Sequence, residues 1–135
     1  MKKAFLSTTY RSYAAEKAVD GNDRNYMSID NCASSNYEDK QFWYVDLGTQ
    51  YDITHVQIFL YGSWYEAFHD VDVTVARSDK DFDIPCNTFK GTATPESQQV
   101  VLKCPQGTYG RYLKTQIMEG TRNVLTLCEV KVFGK

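Results

Sequence analysis

The sequence predicts an all-β fold, an antiparallel β-sandwich or jelly roll. Three observations carry that expectation. Apolar residues alternate with polar ones in several short runs, the period of a strand with one wet face. Turn residues separate these runs roughly every 8–15 residues. No helical pattern alternates with the strands, which argues against parallel βαβ units. The 135 residues suffice for one domain, residues 1–135, with a real core.

Tyr13 to Val19 is the one helical candidate, because Ala14, Ala15, Glu16 and Lys17 favour a turn or two. Asp20 to Lys40 has no strand pattern and holds four Asn and four Asp, a functional-loop composition. Phe42-Trp43-Tyr44-Val45-Asp46-Leu47 reads as a strand too apolar to be wet on either face, and Leu47-Gly48 reads as a turn. Val56, Ile58 and Leu60 then alternate with His55, Gln57 and Phe59. Val71, Val73 and Val75 alternate with Asp72 and Thr74. Ile84-Pro85 and Thr94-Pro95 read as turns on either side of a stretch without a clear pattern. Val100-Val101-Leu102 is a short strand, followed by a turn at Pro105-Gln106-Gly107. Leu113, Thr115 and Ile117 alternate with Tyr112, Lys114 and Gln116. Val130 and Val132 alternate with Glu129 and Lys131 in the closing strand.

Composition excludes several function classes. No apolar run approaches the ~18–20 residues of a membrane-spanning helix. A net charge of -2 without a basic block argues against nucleic-acid binding. Ten Tyr, seven Phe and two Trp are too many aromatics for a disordered tail. No G-x-S-x-G elbow, P-loop, G-x-G-x-x-G or H-E-x-x-H is present, so no enzyme is expected. Met1-Lys2-Lys3 is followed only by Ala4, Phe5 and Leu6, far short of a leader's apolar stretch. Met1 therefore reads as an added start, and the chain as a domain of a longer secreted or cell-surface protein.

The four cysteines, Cys32, Cys86, Cys104 and Cys128, form no C-x-x-C pair, so a structural zinc site is not expected. Disulfides in an extracellular domain are the preferred reading over free core thiols. Of three possible pairings, the nested one is favoured: Cys32–Cys128 closing nearly the whole domain and Cys86–Cys104 closing a local loop.

Two segments carry candidate chemistry. The first runs from Asp20 to Asn31. Hard cations take oxygen ligands from Asp, Asn, Ser and backbone carbonyls, so a calcium loop competes here with a merely solvated one. A Cys32–Cys128 bridge would bring Glu129 beside it. The second is Tyr61-Gly62-Ser63-Trp64-Tyr65-Glu66-Ala67-Phe68-His69. Four aromatics in one loop either fold back on the sandwich edge or form a binding tip. His55 reads as a surface residue. His69 reads as a solvated strand start or, less simply, a ligand contact.

Taken in order, Ala18-Val19-Asp20-Gly21-Asn22, Cys32, Trp43 to Gly48, Ile53 to Ile58, Gly110-Arg111-Tyr112-Leu113 and Leu125-Thr126-Leu127-Cys128-Glu129-Val130 resemble the F-type lectins, or fucolectins, over essentially the whole chain. The resemblance implies an eight-stranded jelly roll related to discoidin and coagulation-factor C domains. It implies the same nested disulfides. It also implies one structural calcium ion, with Asn22, Asn25, Asn31, the Cys128 carbonyl and the Glu129 carboxylate as ligands. Because the loop is shorter than in the family, Asp23, Ser28 or Asp30 are alternatives.

The family's fucose site is not retained. Ser34 stands where the family has histidine, Tyr61-Gly62-Ser63 where it has R-x-D, and Ala67 or Phe68 where it has a further basic residue. Trp64-Tyr65 replaces a pair of adjacent cysteines. Losing these charge-assisted donors should cost well over ~3 kcal/mol, enough to abolish a weak monosaccharide site. The expected function is a calcium-containing extracellular recognition domain that binds glycans with non-fucose or altered specificity, through Ser34, Tyr61, Trp64, Tyr65, Phe68 and His69. The alternative is a module for adhesion or self/non-self recognition that binds a cell-surface protein with the same aromatic tip. Membrane attachment ranks last, because the net charge offers little attraction to anionic lipid.

Overall fold

The alternating runs pair as antiparallel ladders throughout the computed structural model, which describes residues 2–21, 28–94 and 99–135. Among the described residues there are eight strands: β1 (Lys3–Leu6), β2 (Ala33–Ser34), β3 (Phe42–Leu60), β4 (His69–Ala76), β5 (Ile84–Thr92), β6 (Gln99–Lys103), β7 (Tyr109–Ile117) and β8 (Thr126–Gly134). The 19-residue β3 belongs to both halves of the structure. Its first half pairs with β1 and β7, which continue through β4 to β5. Its second half pairs with β6 and β8, and β8 pairs with β2. Among the described residues, no helix is long and apolar enough to cross a membrane.

The two halves of β3 join without the turn expected at Leu47-Gly48. Gly48 sits at φ 91°, and the register against β7 breaks between Asp46 and Tyr51. An irregularity there, opened by a residue that adopts the left-handed region at no steric cost, bends the strand without ending it. Pro85 also lies inside a strand and not in a turn. Its strand, β5, is the last in its sheet, where a missing N–H costs no ladder bond. The short β1 was not expected, yet it pairs with β3 from Lys3↔Asp46 to Leu6↔Trp43.

Trp43, Val45, Ile58, Leu60, Val71 and Leu113 are among the fully buried side chains that fill the core. Trp43 Nε1 donates to the Ala15 carbonyl at 3.0 Å, which satisfies the polar end of the largest of them. That bond anchors the 3₁₀ turn Ala15–Val19, where a helical turn was expected. Gly110 is needed for close packing, because a Cβ there would collide with Val75 Cγ1 and the Ala76 carbonyl.

The run from Phe42 to Leu47 is dry on one face and half-buried on the other, with Trp43, Val45 and Leu47 inward. The outward Tyr44 stacks on Phe5 at 4.7 Å and meets Phe82 at 5.2 Å. The Lys114 ammonium lies 5.1 Å from both the Phe42 and the Phe82 ring centroids. Burial there lowers its pKa. Both disulfides form as the nested pairing requires, Cys32–Cys128 and Cys86–Cys104.

Asp46 takes a bidentate ion pair from Arg111, Nε to Oδ1 at 2.7 Å and Nη2 to Oδ2 at 2.9 Å. The Arg111 hydrogen bonds hold the Asp46 carboxyl below its ordinary value. The unfolded chain therefore binds the proton more readily. The pair's contribution is present above the unfolded carboxylate value and is lost as pH falls through the folded one. Asp46→Asn should lower stability at neutral pH, because it leaves the half-exposed Arg111 without its carboxylate partner. Urea titrations across the acid range should show that gap closing as pH falls.

Candidate functional site

The tip of the sandwich is built by one zipper. The segment following Cys32 runs antiparallel to the residues that precede Cys128. Ala33 pairs with Leu127 and Ser34 with Thr126. Ser35 N donates to the Leu125 carbonyl at 3.0 Å, and Glu38 and Asn123 exchange both backbone bonds. This brings the loop around Tyr37 beside the turn that joins β7 to β8. The aromatic loop after β3 closes the third side.

That aromatic loop is a tight turn. Trp64 N donates to the Tyr61 carbonyl, and Ala67 and Phe68 N donate to the Trp64 and Tyr65 carbonyls. The residues Tyr65–Ala67 form a 3₁₀ turn, so side chains one position apart diverge. Phe68 is 2% exposed and packs edge-on to Phe89 in the core. It anchors the loop from below and does not reach the tip, correcting the expectation that it lies there. Tyr61 is half-buried, packs beside the Cys32–Cys128 disulfide and Phe59, and braces the Trp64 ring edge-on at 5.2 Å. Tyr65 is half-buried and lines neither tip cavity. Trp64 is the loop's exposed ring, at 38%.

His69 opens β4 and is aimed by Asp70, whose φ of 48° puts a non-glycine residue in the left-handed region. Asp70 Oδ1 accepts from Gly91 N at 3.0 Å, and its Oδ2 lies 3.0 Å from His69 Nδ1. The His69 hydrogen bond holds the Asp70 carboxyl below its ordinary value. Asn123 Nδ2 donates to the Glu119 and Gly120 carbonyls, which leaves its Oδ1 to accept from His69 Nε2 at 3.0 Å.

These elements enclose two adjoining cavities. One, of about 270 Å³, is lined by Tyr37, Trp64, Glu66, His69, Arg122 and Val124, among others. The other, of about 230 Å³, is lined by Tyr10, Ser34, Ser35, Tyr37, Trp64 and Val124. Ser34 is fully buried, and its hydroxyl lies 2.9 Å from that of Thr126. Of the residues expected at the tip, the fold brings Ser34, Trp64 and His69 together. It adds Tyr10, Tyr37, Glu66, Arg122 and Asn123, which sequence reasoning missed. Tyr37 is 63% exposed, and Arg122 holds a left-handed φ of 60° in a Gly-Thr-Arg-Asn turn. That turn was the available signal.

The second place of interest lies where β8 passes the loop that follows Val19. Glu129 is 4% exposed. Its Oε2 accepts from Gly21 N at 3.2 Å, while Oε1 is buried with no hydrogen-bond partner among the described residues. Burial, and then the nearby Asp20 carboxylate, push the Glu129 carboxyl up to about 7. A cavity of about 290 Å³ opens beside it, lined by Gly21 and Val19 among others. Of the other expected calcium ligands, Asn22 and Asn25 lie outside the described residues. Asn31 ends the 3₁₀ turn Ile29–Asn31, and Cys128 is bonded to Cys32. No group of three or more His, Cys, Asp or Glu side chains is placed to hold a metal among the described residues.

Residues 17–115 match a family described as NedA-like, galactose-binding domain. No curated protein sequence matches the chain. In three dimensions the chain is similar to an F-type lectin, or fucolectin, from the serum of striped bass, Morone saxatilis. The TM-score is 0.86 with 26% identity, covering 99% of this chain and 45% of that one. It is also similar to the lectin domain of lectinolysin in complex with Lewis B antigen, at a TM-score of 0.84 and 24% identity over 99% of this chain and 93% of that one. A fucose-binding module from Streptococcus pneumoniae superposes at a TM-score of 0.81 with 20% identity, over 99% and 92% of the two chains.

Proposed function

The chain belongs to the NedA-like, galactose-binding domain family, and on that premise we propose that it is a non-catalytic glycan-binding domain of the F-type lectin kind, with the tip cavities as its combining site. One observation carries the reading. Two exposed rings, Tyr37 and Trp64, stand in the same cavity as an exposed carboxylate and an exposed guanidinium, Glu66 and Arg122. Aromatic faces pack against the apolar face of a sugar ring, and a few placed polar groups select its hydroxyls.

The specificity proposed is not the usual fucose specificity. The histidine, the R-x-D and the further basic residue of the resembled lectins are absent: Ser34, Tyr61-Gly62-Ser63 and Ala67 or Phe68 stand in those positions. In their place Arg122 enters from the turn before β8 and His69 from the start of β4. The His69 ring nitrogens face Asp70 and Asn123, so His69 shapes the wall of the site. Arg122 and Glu66 are then the hydrogen-bonding groups offered to a ligand. The two disulfides suit an oxidising compartment, which supports a secreted or cell-surface setting.

A glycan array probed with the oxidised domain tests this reading. Saturable binding to a set of glycans is expected, at least tenfold weaker after Trp64→Ala or Arg122→Ala with melting behaviour unchanged. A blank array would reject glycan binding and direct the search to a cell-surface protein, with Tyr37 and Trp64 as anchors.

A structural calcium ion belongs to the same proposal. The orphaned, buried Glu129 Oε1 is the group a cation would satisfy. The side-chain oxygens of Asn22, Asn25 and Asn31 and the Cys128 carbonyl are the further ligands proposed. An ion at a hundredfold excess over its dissociation constant stabilises the folded state by ~2.7 kcal/mol. Chelation should therefore lower the melting temperature, calcium should restore it, and Glu129→Gln should abolish the response. A melt unchanged by chelation would remove the ion from the account.

A further inference from the structure

Tyr37, Trp64 and Val124 line both tip cavities. Each alone is smaller than the ~300–1,000 Å³ of typical small-molecule sites, whereas together they reach that range. They also differ in chemistry. In the larger one, Arg122 and Glu66 are exposed, and neither side chain takes an ion pair or hydrogen bond among the described residues. One guanidinium and one carboxylate leave this compartment without a preferred sign of charge. An anionic sugar would face Glu66, with Asp39 close behind, since Asp39 Oδ1 accepts from Arg122 N at 3.3 Å. A neutral sugar can accept from Arg122 and donate to Glu66 at once.

In the smaller compartment the serine hydroxyls are already used. Ser34 Oγ bonds Thr126 Oγ1 and donates to the Ser35 carbonyl. Ser35 Oγ donates to the Asn36 carbonyl and accepts from Leu125 N. Tyr10 is fixed at the far wall, because its N–H donates to the Ser34 carbonyl at 2.9 Å. Its ring is covered by the Arg11 guanidinium, 5.0 Å from the centroid, and leans on Tyr13 at 5.8 Å. This compartment therefore offers rings and a Val124 side chain, with its serine hydroxyls spent.

We infer that the site takes a neutral disaccharide unit, one ring held by Glu66 and Arg122 and the adjoining ring laid by its apolar face on Tyr10, Tyr37 and Trp64. A monosaccharide would fill one compartment and leave the other wet. The inference rests on the glycan reading above, and deepens it from a sugar to a two-ring ligand with a polar and an apolar half.

The test uses the strongest neutral disaccharide found on the array and its two component monosaccharides, each titrated free in solution by calorimetry. The disaccharide should bind at least tenfold more tightly than either component. Tyr10→Ala should lower the disaccharide's affinity to that of the component sugar held by Glu66 and Arg122. If Tyr10→Ala does not fold, Tyr10→Leu keeps the bulk without the ring and should give the same pattern. A component monosaccharide that matches the disaccharide would overturn the inference. So would a Tyr10 variant that weakens both ligands equally, or an acidic disaccharide that binds more tightly than its neutral parent. In each of those cases glycan binding itself stands. A blank array instead overturns the glycan reading, and the two-ring site with it.

Discussion

The Cys32–Cys128 bond fixes everything that gives this domain its character. It joins residues 96 apart in sequence, and on the chain-entropy account a loop of that length stabilises the fold by about 4–5 kcal/mol. Its position matters more than that figure. On one side it starts the zipper that carries Ser34, Ser35 and Tyr37 up to the tip opposite Leu125 and Asn123. On the other it sets β8 so that Glu129 faces Gly21. The proposed combining site and the proposed ion site are thus neighbours of one covalent staple. Both depend on the same short length of chain being held against the last strand.

On the proposed reading, the tip around that staple exchanges one kind of recognition for another. Charge-assisted donors are strong but directional, and removing several of them normally ends binding. Here the loop after β3 supplies a ring, Trp64, braced by Tyr61 and anchored from below by Phe68. A braced ring loses little entropy on binding, so its contact area converts to affinity efficiently. In that proposal polar selection passes to Arg122 and Glu66, which come from elements far apart in sequence. The scaffold is that of the similar lectins, and the proposal assigns specificity to the loops that decorate it.

Much of the fold was legible in the sequence because strand alternation is local. Val71, Val73 and Val75, or Leu113 and Ile117, declare their buried face within a few residues. The nested disulfides, the jelly roll and the kinship with lectins were legible too, from motifs along the whole chain. What was hidden depends on partners. β1 is four residues long and is a strand only because β3 offers it an edge. Gly48 and Pro85 read as turns because bulges and edge positions are properties of a sheet. Phe68 looked like part of an exposed aromatic tip, but the turn at Tyr65–Ala67 sends it to the core. Tyr10, Tyr37 and Arg122 could not be grouped beforehand, since only the zipper and the turn before β8 bring them together.

The chain contains only two tryptophans, and they occupy opposite environments. Trp43 is fully buried in the core, and Trp64 stands 38% exposed at the tip. Intrinsic tryptophan fluorescence therefore reports the combining site against a fixed internal background. Titration with the glycans of a representative panel should give, for at least one of them, a saturable change in emission that Trp64→Phe abolishes while the Trp43 signal persists. Emission unmoved by every glycan, or a change that survives Trp64→Phe, would contradict a glycan site at the tip.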